Sequence, residues 1–203
     1  MEKETWNVLA EGWKNFRTNP FPKTVIELSK TWKPGKILDL ACGNARNIIP
    51  FSEEGFDCYG IDFSETMIKS AKELLTRKKQ KVELKVGDML KIPYKDNYFD
   101  YVICIASFHH LKKEEQKKGL EEVRRVLKPK GKLYIAVGNK WQKRFLTSKK
   151  EVKVPWKRRD KTYYRYYYLF NYFELRKLVK RAGFKIERSK GILKRMIELI
   201  SSN

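Results

Sequence analysis

The sequence is poor in cysteine and histidine, and this shortage excludes several classes of protein. Its 203 residues include three cysteines and two histidines. No C-x-x-C pair is present, so the chain lacks the spacing of a zinc ribbon or a redox motif, and we expect no metal site. Cys42, Cys58 and Cys104 lie in or beside predicted strands. We expect them to be buried free thiols, as in proteins of a reducing compartment.

Long apolar runs are also missing from the chain. No stretch is apolar enough to cross a membrane, and residues 1–31 lack the architecture of a signal peptide. We therefore expect a cytoplasmic protein. The length suits one domain with a well-packed core, and no internal repeat or low-complexity linker divides it.

A shortage of acidic residues leaves the chain strongly basic. It has 46 lysines and arginines against 24 aspartates and glutamates, so its formal net charge is +22. A surface with this excess attracts polyanions, and phosphates bind to it with release of counterions. Thermophilic proteins also carry many lysines, but they usually balance them with glutamate. The one-sided charge therefore favours nucleic-acid binding.

The most informative segment that the chain does contain is a short apolar strand at 36–40. It includes Asp39 and breaks into a turn of small residues at 41–45. Small residues let the backbone approach a ligand closely, and the helix that follows offers free N–H groups. About twenty residues further on, a second strand ends in Asp62, a position that suits a carboxylate binding ribose hydroxyls. The two elements together predict a site for an adenosine-like ligand.

The turn is not that of a dinucleotide site or a phosphate-binding loop. It has neither the G-x-G-x-x-G spacing nor the G-K-[ST] ending. A site without a pyrophosphate to hold should make weaker demands on glycine, and this expectation is consistent with Ala41 and Ala45.

Apolar strands alternate with helical patterns along most of the chain. This alternation predicts βαβ units and therefore an α/β fold, a doubly wound and mainly parallel sheet with helices on both faces. Ser64 is placed to cap the second helix. The strands are expected at 36–40, 57–61, 82–86, 98–105 and 131–137, and the clearest helices at 46–54, 65–78 and 114–127.

The order of these strand ends resembles that of the class I S-adenosylmethionine-dependent methyltransferases, over residues 36–138. The resemblance implies a Rossmann-like fold, S-adenosylmethionine as the cofactor and S-adenosylhomocysteine as the product. It places Asp39 near the methionine end of the cofactor, Asp62 at the ribose, and Asp88 and Met89 beside the adenine. The residues expected to bind the cofactor are Asp39, Ala41, Gly43, Asn44, Asp62, Phe63, Asp88, Met89 and Ala106.

The segment 139–171, after the fifth strand, interleaves basic and aromatic residues. Such a surface suits a nucleic acid whose bases are splayed out for stacking. The motifs at 154–156, 165–170 and 105–110 resemble those of the tRNA wobble-uridine carboxymethyl O-methyltransferases, and the stretch 16–22 matches them more loosely. That family esterifies 5-carboxymethyluridine at the first anticodon position. The chain departs from it at Phe21, where the family has tryptophan, at Tyr168, where it usually has histidine, and at Ala41 and Ala45.

This second resemblance implies how the molecule is divided and what it binds. A single methyltransferase domain, 1–203, would consist of an N-terminal helical lid (1–31), a cofactor-binding core (36–138) and a substrate insertion (139–171). The implied substrate is tRNA, and the implied partner is a small zinc-binding activator protein that covers an apolar patch at the sheet edge. The divergent C-terminal segment 191–203 adds nothing to this resemblance.

A carboxylate substrate demands little acid–base chemistry from the protein. Its pKa is roughly 4, so it is already an anionic nucleophile at neutral pH. The enzyme then has to desolvate it and hold it in line with the methyl group. Arginine suits this task because it binds both carboxylate oxygens. The candidates for holding the substrate are Arg17, His109, His110, Arg165 and Tyr167, with His109 preferred over His110.

Contact with the rest of the RNA is expected from the centre of the insertion. Trp156 has a second interpretation, as a structural anchor of the insertion, and most of the neighbouring lysines are individually solvated. The RNA-binding candidates are Lys153, Trp156, Lys157, Arg158 and Arg159.

Two other functions remain open at this point. One is a methyltransferase for a small molecule such as a quinone or sterol, although a basic aromatic insertion does not suit an apolar substrate. The other is an RNA-binding protein that keeps the fold without turnover because of Ala41 and Ala45. Some RNA C5-methyltransferases use a cysteine nucleophile after the fourth strand, but Cys104 lies within the strand, which favours core packing.

Overall fold

A seven-stranded sheet forms the centre of the computed structural model, which describes residues 3–13, 18–158 and 161–203. The sheet has the order β3-β2-β1-β4-β5-β9-β8, and its first five strands are parallel. The two strands from the C-terminal part of the chain are antiparallel to each other, and β9 is antiparallel to β5. The strands are β1 (Lys36–Leu40), β2 (Asp57–Asp62), β3 (Glu83–Val86), β4 (Phe99–Ile105), β5 (Leu127–Gly138), β8 (Lys185–Lys190) and β9 (Met196–Ser202).

Helices cover both faces of this sheet. On one face, α2, α3 and α4 bury residues such as Val25, Phe51 and Leu74, and on the other α5 and α6 bury Leu120 and Leu175. Burial on both faces is the reason why the strands read as nearly continuous apolar runs. The predicted doubly wound, mainly parallel α/β fold is therefore confirmed. The helices are α1 (Lys3–Trp13), α2 (Thr24–Thr31), α3 (Ile49–Glu53), α4 (Glu65–Arg77), α5 (Gln116–Val126) and α6 (Tyr172–Arg181).

The helix boundaries follow local capping chemistry where the sequence contains it. Ser64 caps α4 as predicted, because its hydroxyl accepts a hydrogen bond from the Met67 amide at 3.2 Å. The helix predicted at 46–54 begins only at Ile49. The preceding residues form the turn after β1, in which Ala45 has a φ of 61° and cannot join a right-handed helix.

The C-terminal segment has a structural role that the sequence reading did not assign. Strand β9 lies between β5 and β8, with Leu199 opposite Ile135, and the side chains of Ile197 and Leu199 are fully buried. The segment 191–203, which adds nothing to the resemblance, thus contributes a strand to the sheet and side chains to the core. The alternation of buried Ile197, half-buried Glu198 and buried Leu199 is a period-two strand signal that was available in the sequence.

The basic insertion folds as an antiparallel hairpin of its own, β6 (Glu151–Arg158) and β7 (Lys161–Tyr168). Lys153 pairs with Tyr166, and Trp156 pairs with Tyr163. The hairpin is fastened to the first turn of α6, since Glu174 accepts hydrogen bonds from the Tyr168 hydroxyl and from Lys150. None of the helices in the described part of the chain has the length and apolar character needed to cross a membrane.

Candidate active site

The turn between β1 and α3 has an unusual backbone. Ala41, Gly43 and Ala45 have φ angles of 57°, 56° and 61°, in the left-handed region. That conformation costs an L-residue roughly 1–2 kcal/mol more than glycine. The expectation that the demand for glycine relaxes here was therefore wrong. The turn keeps the shape that favours glycine, and two alanines hold it under strain of the kind found at functional sites.

Asp62, at the end of β2, fixes this turn in place. Its two carboxylate oxygens accept hydrogen bonds from the Gly43 and Ser64 amides, each at 2.9 Å. Burial raises the pKa of Asp62 to about 6, although these two amide donors act in the opposite direction. Each oxygen keeps a lone pair that can accept a further bond from a ligand hydroxyl.

A cleft opens above the turn, at the carboxyl ends of the parallel strands, where ligands bind in open α/β sheets. It is lined by seven of the nine residues that were predicted to bind the cofactor: Ala41, Gly43, Asn44, Asp62, Phe63, Met89 and Ala106. Eight further residues also line it: Trp6, Cys42, Arg46, Asn47, Met67, Ile105, Ser107 and His110. Neighbours of the turn such as Arg46 could have been found from its spacing, but no sequence pattern marks Trp6 or Met67 as part of a site.

Asp39 and Asp88 do not line the cleft. Asp39 is buried beside it, and burial together with the charge of Asp62 raises its pKa to about 8, against a lowering by Arg46. Its Oδ2 atom has no hydrogen-bond partner among the described residues. Asp88 is exposed and closes the turn after β3 by accepting a hydrogen bond from the Leu90 amide at 2.9 Å. Its predicted contact with adenine stays a prediction.

These groups fit a cofactor that joins adenosine to a charged amino acid. Asp62 offers carboxylate oxygens for ribose hydroxyls, and Phe63 and Met89 offer apolar surface for a purine. The buried, unpaired Oδ2 of Asp39 is an acceptor that an ammonium group would satisfy, since a buried carboxylate is stabilised by a cationic donor. The site therefore fits S-adenosylmethionine, which carries all of these groups.

A second cavity adjoins the cleft and has a different chemical character. It combines cationic and aromatic side chains from α1, the segment after β4 and the β6–β7 hairpin, and it shares Trp6 and His110 with the cleft. We call this cavity the basic pocket. The basic pocket is lined by Thr5, Trp6, His110, Lys112, Lys153, Tyr164, Arg165 and Tyr166.

The two histidines have different positions relative to these cavities. His110 lines both of them, and its Nδ1 lies 2.8 Å from the backbone carbonyl of Tyr166. Because a carbonyl only accepts, we assign the proton of the neutral ring to Nδ1. Burial lowers the pKa of His110 to about 4, so the ring is neutral at pH 7. His109 is buried, with its Nδ1 3.4 Å from the Gly138 amide, so the preference for His109 as the substrate-facing residue has no support in the geometry.

The other substrate candidates on the hairpin gather around this histidine pair. The ring of Tyr167 lies 4.6 Å from that of His109 and 4.7 Å from that of His110. The guanidinium of Arg165 lies 5.0 Å from the Trp156 ring and 5.3 Å from the Tyr167 ring. The Trp156 ring thus packs against the guanidinium of Arg165, which favours the interpretation of Trp156 as a structural anchor of the insertion.

The remaining candidates are divided between the pocket, the surface and the undescribed parts of the chain. Lys153 lines the basic pocket, and Lys157 is exposed on β6. Arg17 and Arg159 lie outside the described residues, as does the side chain of Arg158, so their predicted roles stay predictions.

The cysteines behave as core residues. All three are buried free thiols, as predicted. Burial raises the pKa of Cys104 to about 12, and its Sγ lies 3.3 Å from the Ser107 hydroxyl. A thiol held protonated in this way is a poor nucleophile, which supports the packing role.

Comparison with known proteins agrees with the fold and with the inferred cofactor. Residues 37–131 match a family model described as "Methyltransferase domain". A demethylmenaquinone methyltransferase of Renibacterium salmoninarum is 38% identical over 132 residues, which are 65% of this chain and 52% of that protein. A mouse protein named probable tRNA methyltransferase 9B is 31% identical over 151 residues, 73% of this chain and 32% of that protein. The chain spans about half the length of the first of the curated relatives it matches.

A solved structure shows how far the likeness extends. The PH0226 protein from Pyrococcus horikoshii OT3 aligns with a TM-score of 0.76 at 28% identity, over 89% of each chain. The likeness thus extends over more of the chain than the part matched by the family model. From its strand order, its cleft and these matches, the chain has the Rossmann-like fold of the class I S-adenosylmethionine-dependent methyltransferases, and its segment 37–131 matches a methyltransferase domain.

Proposed function

We propose that this methyltransferase acts on tRNA and esterifies the carboxylate of 5-carboxymethyluridine at the wobble position. The observation that carries the proposal is the basic pocket, which adjoins the cofactor cleft and shares Trp6 and His110 with it. A substrate group bound there would lie next to the cofactor cleft, across Trp6 and His110. The composition of the pocket therefore indicates what kind of group that is.

The pocket suits an anionic and planar substrate. Lys112, Lys153 and Arg165 supply positive charge, and Tyr164 and Tyr166 supply aromatic surface. No Asp or Glu is among its lining residues. A uridine that carries a carboxylate matches both features, because its ring stacks on aromatic side chains and its carboxylate pairs with cations.

The chemistry requires positioning more than proton transfer. S-adenosylmethionine, when bound, supplies an electrophilic methyl group. The rings of Trp156 and Tyr167 hold the guanidinium of Arg165, so that it can orient both carboxylate oxygens. His110 is neutral, and its Nδ1–H is engaged by the Tyr166 carbonyl, which is consistent with a reaction that needs no general base. Trp6 and Tyr164 exclude water from the group that is bound between them.

The relatives support two substrate classes. The mouse relative named as a tRNA methyltransferase matches 73% of this chain, which is more than any of the demethylmenaquinone methyltransferases reported with it. Those relatives favour the second candidate function, methylation of a quinone-like small molecule. A cationic pocket suits an apolar quinone poorly, since its charges would lose hydration without gaining partners. We therefore prefer tRNA.

The zinc-binding activator is a separate part of the proposal. Strand β3 is an open edge of the sheet, and its last residue, Val86, is 46% exposed. An exposed apolar residue on an unpaired edge is a site where another chain can add its own strand. We therefore test activity both with and without the activator.

The test is methyl transfer from tritiated S-adenosylmethionine to bulk tRNA that lacks the wobble ester, followed by mild alkali. We expect label to enter tRNA and to leave as volatile methanol, as a methyl ester must. Alkali-stable label would mean methylation of nitrogen, carbon or ribose. Label that enters demethylmenaquinone and not tRNA would establish the small-molecule function. No transfer to either, with cofactor binding intact, would indicate a non-catalytic binder.

Two adjacent lysines provide a matched pair of variants for the same assay. Lys112 lines the basic pocket, whereas Lys113 is exposed and does not line it. We expect Lys112→Ala to raise the KM for tRNA several-fold and Lys113→Ala to leave it unchanged. Equal effects of the two substitutions would mean that overall charge, and not the pocket, binds the RNA.

A further inference from the structure

Helix α6 presents a basic face outside the active site. Phe173, Arg176, Lys177, Lys180 and Arg181 line one shallow groove on its surface. Their spacing of three and four residues places them on one side of the helix. This side is opposite Leu175 and Val179, which are buried against the sheet.

The positive charge of this face is not neutralised by the protein. Among the described residues, none of its four cations forms a salt bridge, and Arg176 donates a hydrogen bond to the Ser189 hydroxyl. The nearby acidic side chains are engaged elsewhere, Glu174 with Lys150 and Glu187 with Lys132. Cations at a helix C-terminus do stabilise its dipole, which accounts for Lys180 and Arg181 but not for Arg176 and Lys177 one turn earlier.

The face also has a fixed position relative to the basic pocket. Glu174, in the first turn of α6, holds Tyr168 and Lys150 at the base of the hairpin that carries Lys153 and Arg165. From Phe173 to Arg181 the helix extends by roughly 12 Å, at about 1.5 Å per residue. Phe173 is 62% exposed, with its ring centre 6.2 Å from that of Trp141.

We propose that this face of α6 binds backbone phosphates of the tRNA outside the methylated nucleotide. The proposal rests on the proposed tRNA substrate and adds a second contact to it. Double-stranded RNA is bound mostly through its shape and its phosphates, for which a row of unpaired cations on a rigid helix is suited. At one end of this row of cations lie the aromatic rings of Phe173 and Trp141, on which an unstacked base can stack.

The test is a triple charge reversal, Lys177→Glu with Lys180→Glu and Arg181→Glu. Its matched control is Lys69→Glu with Lys72→Glu and Arg77→Glu on α4, which packs on the opposite face of the sheet and undergoes the same change in charge. Both variants are first checked for an unchanged circular dichroism spectrum and cofactor Kd. Two readouts follow, equilibrium binding of tRNA over a range of salt and methylation of full-length tRNA against a short single strand that contains carboxymethyluridine.

We expect the α6 variant to raise the KM for full-length tRNA at least tenfold and to leave the KM for the short strand unchanged. The slope of log affinity against log salt should fall by roughly 2, at about 0.7–0.9 per lost phosphate contact. The α4 control should change neither quantity. An unchanged slope in the α6 variant, or an equal loss in the control, overturns the proposal. Failure of the wild-type protein to methylate either RNA would instead overturn the proposed function, while the binding slope would still decide the role of α6.

Discussion

At the scale of single residues, two buried carboxyl groups lie at the cofactor cleft, Asp62 in its lining and Asp39 beside it. Burial raises the pKa of Asp39 to about 8 and that of Asp62 to about 6. Two amide donors offset part of the desolvation cost of Asp62. By contrast, Oδ2 of Asp39 has no hydrogen-bond partner among the described residues. The free protein is therefore destabilised by Asp39 in a way that a cationic ligand would offset.

Substitution of Asp39→Asn should stabilise the free protein at alkaline pH. The pKa of Asp39 is about 8 in the folded state, above its ordinary value of 3.8. The protein therefore becomes less stable as the pH rises from about 4 to about 8, because the unfolded state releases this proton more readily than the folded state does. We expect the variant to have a Tm a few degrees above wild type at pH 8, with a difference that shrinks towards pH 4. Its Kd for S-adenosylmethionine should rise at least tenfold. Thermal denaturation from pH 4 to 9 and calorimetric titration measure the two effects.

The pH dependence of the effect is itself the control for this experiment. A stability gain from Asp39→Asn that did not vary with pH would contradict the assignment of the effect to ionisation.

At the scale of elements, helix α1 and the segment after β4 form the wall between the two cavities, through Trp6 and His110. Trp6 of α1 lines both, and its ring meets that of His110 edge-on with centres 4.7 Å apart. The helix is held over the cleft by the Ser64 hydroxyl, which donates to Oδ1 of Asn7 at 2.6 Å. A residue remote in sequence from the cofactor turn thus forms part of the cofactor site.

Substitution of Trp6→Ala should weaken cofactor binding and methyl transfer together. Removal of a large aromatic wall that pairs with His110 costs about 1–2 kcal/mol, which corresponds to a rise of roughly 5–30-fold in the cofactor Kd. Trp32 is the control, because it stacks on Tyr101 at 4.5 Å and does not line the cleft. Trp32→Ala should lower stability without changing the cofactor Kd of the folded protein. A loss of affinity in both variants would show that Trp6 acts through stability alone.

At the scale of the whole molecule, the sheet depends on a strand from the far end of the chain. Strand β9 connects β5 to the edge strand β8 and contributes Ile197 and Leu199 to the core. Both faces of the sheet are covered by helices, so the loss of any central strand would expose apolar surface on both faces.

Truncation of Leu199→Ala should lower the free energy of unfolding by about 2–5 kcal/mol, as expected for a fully buried leucine. Leu193→Ala, only a few residues away at a position that is 86% exposed, should change it by less than about 0.5 kcal/mol. Denaturation with urea measures both values. Similar effects of the two substitutions would contradict the interior position of β9 in the sheet.

The sequence by itself determined the succession of strands and helices, the Ser64 cap, the doubly wound sheet and the carboxylate of Asp62 beside the small-residue turn. These features depend on local periodicity, on capping and on the rule that parallel strands end at one edge, all of which are readable along the chain. Only the tertiary structure decided that Trp6 and His110 separate the cleft from a basic pocket, and that the last strand of the chain lies inside the sheet, between β5 and β8. Those outcomes depend on which side chains of distant elements come into contact, and the sequence pattern of one element does not predict its contacts with another.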